Sequence, residues 1–456
     1  MDDLSQNRLE RRLGLFPMMN IVIANMIGAG IFTTSGLLMS DLGNPMLMII
    51  LWIAGGLIAL CGALCYGELG SAFPEAGGEY AFLSKLYHPL LGFLSGWVSF
   101  VVGFSAPIAA SSIGFSEYLA RAFPQLFDWG SAGGIASPLL LKDILSILII
   151  ALFTVIHLRG IEFGALVQNT LTVVKVGLIG LFILVGIVLG NGDMTHFSEG
   201  IEVSFDFSGW KTIGLSLLWI MFAYSGWNAS TYIGSEARSP EKTIPRSLLL
   251  GTAIVTLLYV CLNIIYVYAI TPDEMKGVIS IGGLAMANLI GRGMGTFFSL
   301  MIAFALLSSL SAFMILGPRV YYAMARDGSF FRFAADVSTR FKIPTKAIVL
   351  QGAIASVIVL SGTLDQVLTY MGFSLGLFPL LAVFGIFKLR SLRKFEILGR
   401  WFFIAPLVYL FFGIGMLILS YFERPVESSI SILTVLVGIP AFYLFRKTYA
   451  HSGTHS

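Results

Sequence analysis

Long apolar stretches dominate this sequence and constrain its fold more than any other feature. A transmembrane helix needs about 20 predominantly apolar residues. Of the 456 residues, 57% are hydrophobic and only 12% are charged, whereas soluble domains carry about 25% charged residues. A large soluble domain is therefore excluded, and the sequence predicts an all-α integral membrane protein.

Charged residues, Pro and Gly divide the chain into twelve predicted transmembrane helices. Counts of eleven or thirteen stay open, because the fourth and ninth stretches are short and the third is long. The predicted spans are residues 14–40, 46–69, 89–120, 143–157, 163–190, 212–235, 247–270, 294–318, 347–361, 366–387, 401–421 and 428–445.

The positive charges predict how these spans are oriented. Cytoplasmic loops carry an excess of Lys and Arg, and most of the 28 such residues fall in one set of alternate loops. This pattern predicts that residues 1–13 and 446–456 are both cytoplasmic. The formal net charge of +3 provides no basic surface for nucleic acid. The five His residues show no metal-ligand spacing, so neither a metal nor a cofactor is expected.

Two spans contain segments that predict helix breaks in mid-membrane. Residues 25–32 of the first span place Gly28 and Gly30 one residue apart, and residues 222–228 of the sixth contain Ser225 and Gly226. The exposed backbone N–H and C=O groups of broken helices can bind the carboxylate and ammonium of a zwitterion without a charged side chain. The alternative is that these glycines only allow close helix packing.

The positions of the two breaks predict an internal repeat. Each break lies in the first helix of a group of five spans, as in inverted-repeat transporters. The first repeat is predicted at residues 14–190, the second at residues 212–387, and an appended helix pair at residues 401–445.

Several sequence motifs carry a family resemblance. They are residues 25–32, 66–70, 73–80, 222–228, 236–246, 317–319 and 325–328. These motifs resemble the broken helices and adjoining loops of the amino acid-polyamine-organocation superfamily, and most resemble those of its L-type amino acid transporters. The resemblance implies a LeuT-type fold with twelve helices, a 5+5 inverted repeat, a central amino-acid site and alternating access.

The resemblance also implies which residues bind the substrate. Backbone groups near Ala29 and Gly30 would hold its carboxylate, and carbonyls of the sixth span would help to bind its ammonium. Phe222 would form an aromatic lid. The complete predicted set is Ile27, Gly28, Ala29, Gly30, Phe222, Ala223, Ser225, Gly226, Trp227 and Asn228.

Two departures from the family pattern narrow these expectations. Members that take large neutral amino acids have glycine where this chain has Ser225, so small neutral substrates such as Ala, Ser, Thr or Gly are expected. Alternatively, Ser225 points away from the pocket and caps a helix end. Animal members carry a cysteine in the loop after the third span that joins them to a heavy-chain glycoprotein. Residues 121–142 contain none, so no disulfide-linked heavy chain is expected.

Lys175 is a charged residue near the centre of the fifth span. An ammonium at this depth is costly unless it pairs or faces a polar cavity. It could be a fixed cation, a proton carrier, or a lysine that snorkels to the interface. The resemblance places it between the unwound first helix and the eighth span. Its expected partners are the carbonyl of Gly28 and the hydroxyls of Ser308, Ser309 or Ser311.

These features predict a Na⁺-independent exchanger of small neutral amino acids in the cell membrane. A proton-coupled symporter that uses Lys175 is the alternative, and a sensor that binds without transport stays possible. An enzyme is disfavoured because the spans offer almost no ionisable groups, and a channel because no filter sequence repeats. Glu68, Glu75 and Glu79, near the cytoplasmic end of the second span, are expected in ion pairs or gate contacts.

Overall fold

A computed structural model describes residues 11–127, 138–202, 204–338, 341, 343–360, 364–392 and 403–452. This part of the chain is almost entirely helical, and its β-structure is limited to two isolated bridges. The helices before residue 190 are α1 (Leu15–Met26), α2 (Ala29–Leu42), α3 (Pro45–Ala72), α4 (Glu79–Leu86), α5 (Pro89–Val98), α6 (Ser105–Ala122), α7 (Pro138–His157) and α8 (Ile161–Leu189).

The second half of the chain is likewise built from helices joined by turns and loops. They are α9 (Phe207–Ala223), α10 (Ala229–Tyr232), α11 (Pro240–Ala269), α12 (Pro272–Met275), α13 (Ile281–Leu289), α14 (Arg292–Arg326), α15 (Thr345–Val359), α16 (Leu364–Leu392), α17 (Ile404–Glu423) and α18 (Pro425–Ser452).

Each predicted span coincides with one helix or with a pair of consecutive helices. Among the described residues, nine helical segments are long and apolar enough to cross a membrane. Two further apolar helices, α9 and α15, are shorter, and α7 occupies the fourth predicted span. The prediction of an all-helical membrane protein with twelve spans is confirmed.

Two spans differ from the prediction, one in where it begins and one in its continuity, and each difference has a physical reason. The fourth span begins at residue 138 rather than 143, because Lys142 lies within the helix and its charge is paired with Glu117 at 2.9 Å. The third span is not one continuous α-helix. A π-helical turn at Ser99–Gly103 separates α5 from α6, because the N–H of Phe104 bonds to the carbonyl of Ser99, five residues back.

Packing places the two interrupted spans inside the bundle. Helix α1 packs against α8, α11 and α14, and α9 packs against α2, α16 and α17. Because α1 and α9 are each enclosed by other helices, their unwound segments are shielded from lipid by protein. This is the condition under which unwound backbone is tolerated at membrane depth.

One end of the bundle carries α4, and we call it the α4 face. There Leu13 pairs with Ala237, and Ala76 pairs with Ile233, in the two isolated bridges. Phe445 of α18 contacts Phe93 at the start of α5. Both ends of the described chain therefore lie on the same face, as an even number of membrane crossings requires.

Candidate functional site

The first break interrupts the first span at Ile27 and Gly28. Helix α1 ends at Met26 and α2 begins at Ala29. The N–H of Gly28 turns back to the carbonyl of Met26 at 2.9 Å, and no side chain caps α2. The first N–H groups of α2 have no acceptor within their own helix. This positive end of the α2 dipole therefore suits a carboxylate.

The second break interrupts the sixth span between Ala223 and Ala229. The chain turns through residues 224–228, where Gly226 has a φ of 98°. The N–H of Ser225 donates to the carbonyl of Phe222 at 2.8 Å. Helix α10 then lasts for only one turn. The breaks predicted in the first and sixth spans are confirmed.

The two breaks touch each other, and glycine is what allows this approach. A Cβ atom on Gly30 would lie 2.5 Å from the Cα of Ala223. A Cβ atom on Gly226 would lie 2.6 Å from the Cβ of Asn25. Real Cβ atoms do not approach other atoms this closely, so any larger residue at Gly30 or Gly226 would force the breaks apart.

Tyr259 of α11 ties the two breaks together. Its buried hydroxyl donates to the carbonyl of Ala223 at 3.0 Å and also contacts the carbonyl of Met26. From sequence alone a tyrosine in an apolar span is expected in the core. The signal that could have identified it is its hydroxyl, because a buried tyrosine hydroxyl usually finds a partner.

Lys175 also binds the first break. Its ammonium donates to the carbonyl of Ala24 at 3.1 Å and to that of Ile27 at 2.5 Å, and the residue is fully buried. The expected contact with Gly28 is wrong. Because the N–H of Gly28 bonds to Met26, the carbonyl of Ala24 loses its usual helical donor and accepts from Lys175 instead.

The serines of α14 do not form one cluster around Lys175. Ser308 lies 3.4 Å from the side-chain amide of Gln168 on α8. Ser311 lies 2.9 Å from the imidazole of His157 on α7. These two hydroxyls therefore link α14 to its neighbours and are not placed at the ammonium.

A small cavity, which we call the central cavity, lies between the breaks. The hydroxyl of Ser309 lines it and has no hydrogen-bond partner among the described residues. The lining residues are uncharged, as the zwitterion hypothesis requires. They are Asn25, Met26, Gly28, Ala29, Gly30, Pro107, Ala110, Ser111, Phe222, Ala223, Ser225, Ser309 and Phe313.

Sequence reasoning missed the part of this lining that comes from α6 and α14. Pro107, Ala110 and Ser111 form one wall, and Phe313 contributes to another. The signal for the first group is the run of small residues at 105–112, because small residues in membrane helices mark close approach. Phe313 carries no comparable signal.

A larger cavity, which we call the lower cavity, adjoins the central cavity and shares lining residues with it. Gly226, Trp227 and Asn228 line the lower cavity rather than the central one. Ile27 lines neither, and its carbonyl binds Lys175. Phe222 and Ser225 belong to both linings and thus form part of the wall between the two cavities.

The fold and this site define a class of protein. Two discontinuous helices that meet at a buried, uncharged cavity in a membrane bundle are the architecture of a secondary transporter with a LeuT-type fold. Among the described residues, no group of three or more His, Cys, Asp or Glu side chains could hold a metal ion.

Comparisons with known proteins agree with this class. The chain belongs to the amino acid permease family, whose model matches residues 13–440. It is 29% identical to the serine/threonine exchanger SteT of Bacillus subtilis, covering 97% of this chain and 99% of the relative. It is 28% identical to the mouse Asc-type amino acid transporter 1, covering 96% and 81%. It is 25% identical to the mouse b(0,+)-type amino acid transporter 1, covering 97% and 89%.

These matches confirm the family resemblance found in the sequence motifs. The protein is a multi-pass membrane transporter of amino acids and not an enzyme.

Proposed function

We propose that this protein exchanges small neutral L-amino acids across the cell membrane by Na⁺-independent alternating access. The observation that carries the proposal is the position of Lys175, whose ammonium holds two carbonyls of the first break. In ion-coupled transporters the carbonyls of unwound helices coordinate a bound cation. Here a fixed ammonium would occupy that position. Transport then needs no Na⁺.

The central cavity supports the choice of substrate. Its walls combine the small residues Gly28, Ala29 and Gly30 of the first break with Ser225 of the second. The N–H groups of Ala29 and Gly30 would bind the substrate carboxylate, and carbonyls of the breaks would bind its ammonium. The name of the serine/threonine exchanger SteT agrees with this substrate class.

The proposal includes an orientation and an internal repeat. Both chain termini would be cytoplasmic, since the positively charged loops fall on the side of the termini. The repeats would comprise residues 14–190 and 212–387, followed by the pair at 401–445. The three cysteines are Cys61, Cys65 and Cys261. None lies in the loop at residues 121–142, so a disulfide-linked heavy chain is not part of the proposal.

Uptake of labelled alanine or serine into proteoliposomes tests this function. The vesicles are prepared with and without unlabelled amino acid inside, and each set is crossed with a pH or Na⁺ gradient. We expect uptake to require internal amino acid and to ignore both gradients. Binding without any flux would instead indicate a sensor.

A proton-coupled symporter is the second candidate. The buried ammonium of Lys175 contacts two backbone carbonyls of the first break, and ionisable side chains inside membrane spans are the groups that form proton relays in transporters. Uptake into empty vesicles that is driven by an inward proton gradient would establish this mechanism and overturn the exchanger.

Replacement of Ser225 by glycine should widen the substrate range. Ser225→Gly removes a hydroxymethyl group from the wall of the central cavity, and one such group changes discrimination by about 10-fold or more. We expect leucine to inhibit alanine exchange roughly tenfold better in the variant. Ser216→Gly, a buried serine of α9 in the same span and outside both linings, is the control. An unchanged leucine response would contradict the pocket argument.

Replacement of Tyr259 by phenylalanine should slow transport without unfolding the protein. Tyr259→Phe keeps the ring and removes the hydroxyl that holds Ala223 and Met26. One such bond is worth about 0.5–1.5 kcal/mol, so we expect the exchange rate to fall about tenfold or less. Tyr443→Phe, on the exposed surface of α18, should exchange normally. Equal rates in Tyr259→Phe and wild type would show that the bridge is dispensable.

A further inference from the structure

Glu79, the first residue of α4, is a buried carboxylate without a cationic partner in the described part of the chain. Only 6% of the residue is exposed. Its neighbours on the α4 face are different: Glu68 pairs with Arg390 at 2.8 Å, and Glu236 pairs with Arg319 at 3.3 Å. An ion pair compensates the buried charge of each of those two glutamates, whereas the charge of Glu79 has no such compensation among the described residues.

The polar groups around Glu79 are neutral donors. The hydroxyl of Tyr66 donates to Oε1 at 2.8 Å, and the amide of Asn228 donates to the same oxygen at 2.7 Å. The amide of Asn228 also donates to the hydroxyl of Tyr232 at 3.1 Å, and the hydroxyl of Ser95 lies 3.5 Å from Oε2. Such donors reduce the cost of burying a carboxylate, but they do not neutralise its charge.

The lower cavity gives this carboxylate access to the substrate path. Glu79 lines the lower cavity together with Asn228, the last residue of the second break. Asn25 and Phe313 line both this cavity and the central cavity. A substrate that moves from the central cavity towards the α4 face therefore passes Glu79.

We propose that Glu79 forms a second binding subsite, in the lower cavity, for the ammonium group of the amino acid as it moves between the central cavity and the α4 face. This inference rests on the proposed transport of neutral amino acids. The ammonium supplies the positive partner for the Glu79 carboxylate. The amide of Asn228, which donates to the same carboxylate, connects this subsite to the broken sixth span.

Protonation of Glu79 should compete with this subsite. Burial raises the pKa of Glu79, and the hydrogen bonds from Tyr66 and Asn228 oppose that rise. As the pH on the α4 side falls through the raised pKa, the carboxylate becomes neutral and loses its attraction for an ammonium. The other titratable groups that face it, including Tyr409 of α17, are tyrosines, which stay neutral at physiological pH.

Sided exchange measurements test the subsite. Right-side-out and inverted membrane vesicles give the half-saturating alanine concentration from each face separately. We expect Glu79→Gln to raise the half-saturating alanine concentration roughly tenfold from the α4 face and less than about twofold from the opposite face. Acidification of the α4 face should weaken alanine binding in the wild type and not in Glu79→Gln. The matched control is Glu75→Gln, because Glu75 lies in the loop just before α4 and forms an exposed ion pair with Lys85.

Two further measurements keep the test decisive if Glu79→Gln does not fold. Alaninol, which has the ammonium and no carboxylate, should compete with alanine from the face of the subsite only. Tyr66→Phe removes a donor from the carboxylate and should lower the half-saturating concentration from that face a few-fold, the opposite direction. Equal effects on both faces, or none, would overturn the subsite. Absence of amino-acid exchange in the wild type would instead overturn the proposed function.

Discussion

Replacement of Lys175 by methionine is expected to abolish exchange. The methionine side chain fills the same buried space, but the carbonyls of Ala24 and Ile27 lose their donor. A hydrogen bond to a charged group is worth about 1.5–3 kcal/mol. Two such bonds correspond to about a hundredfold or more in rate. Initial rates of alanine counterflow in proteoliposomes measure the effect.

The lysine prediction has a control on the protein surface. Lys276→Met removes an exposed ammonium that pairs with Asp273, and exposed pairs contribute about 0–1 kcal/mol. This variant should exchange at nearly the wild-type rate. A Lys175→Met protein that exchanges as fast as Lys276→Met would show that the ammonium does not support the first break.

Alanine at Gly30 or Gly226 is expected to stop transport by separating the two breaks. The atoms that a new Cβ would meet include the Cα of Ala223 at 2.5 Å and the backbone carbon of Asn25 at 2.9 Å. Backbone atoms cannot move aside as a flexible side chain can. Overpacking of this kind costs about 1–3 kcal/mol, and the φ of 98° at Gly226 adds strain for any residue with a Cβ.

The glycine variants are checked by their exchange rate and by their behaviour in detergent. We expect each to lower the alanine exchange rate up to about a hundredfold while the protein still migrates as a monodisperse species in detergent. Gly177→Ala on α8, where a new Cβ meets no atom within 4 Å, is the matched control. Normal exchange by Gly30→Ala would mean that the breaks do not need to touch.

The sequence was sufficient for features that depend on local chemistry. A span is recognised because its residues are apolar over the thickness of a bilayer, and a break because glycines interrupt a helix where lipid should forbid it. Lys175 was identified because a charge in an apolar span must have a partner. The spans and the breaks are confirmed, and the roles of the site residues stay predictions to be tested by transport.

Pairings between distant spans could not be derived in this way. Serines in a membrane helix can face either a cavity or a neighbouring helix, so the sequence does not indicate which face of α6 or α14 turns towards the centre. Pro107 and Phe313 were missed for this reason, and the partners of Ser308 and Ser311 differ from expectation.

The sequence by itself determined a membrane bundle with two interrupted helices and one buried lysine. Only the tertiary structure decided that Tyr259 joins the two breaks and that Lys175 binds Ala24 and Ile27. It also decided that Glu79 lies beside the lower cavity with no cationic partner among the described residues. The physical reason is that hydropathy and helix breaking are set by neighbours along the chain. A hydrogen bond between helices depends on how separate spans rotate and pack in the bundle.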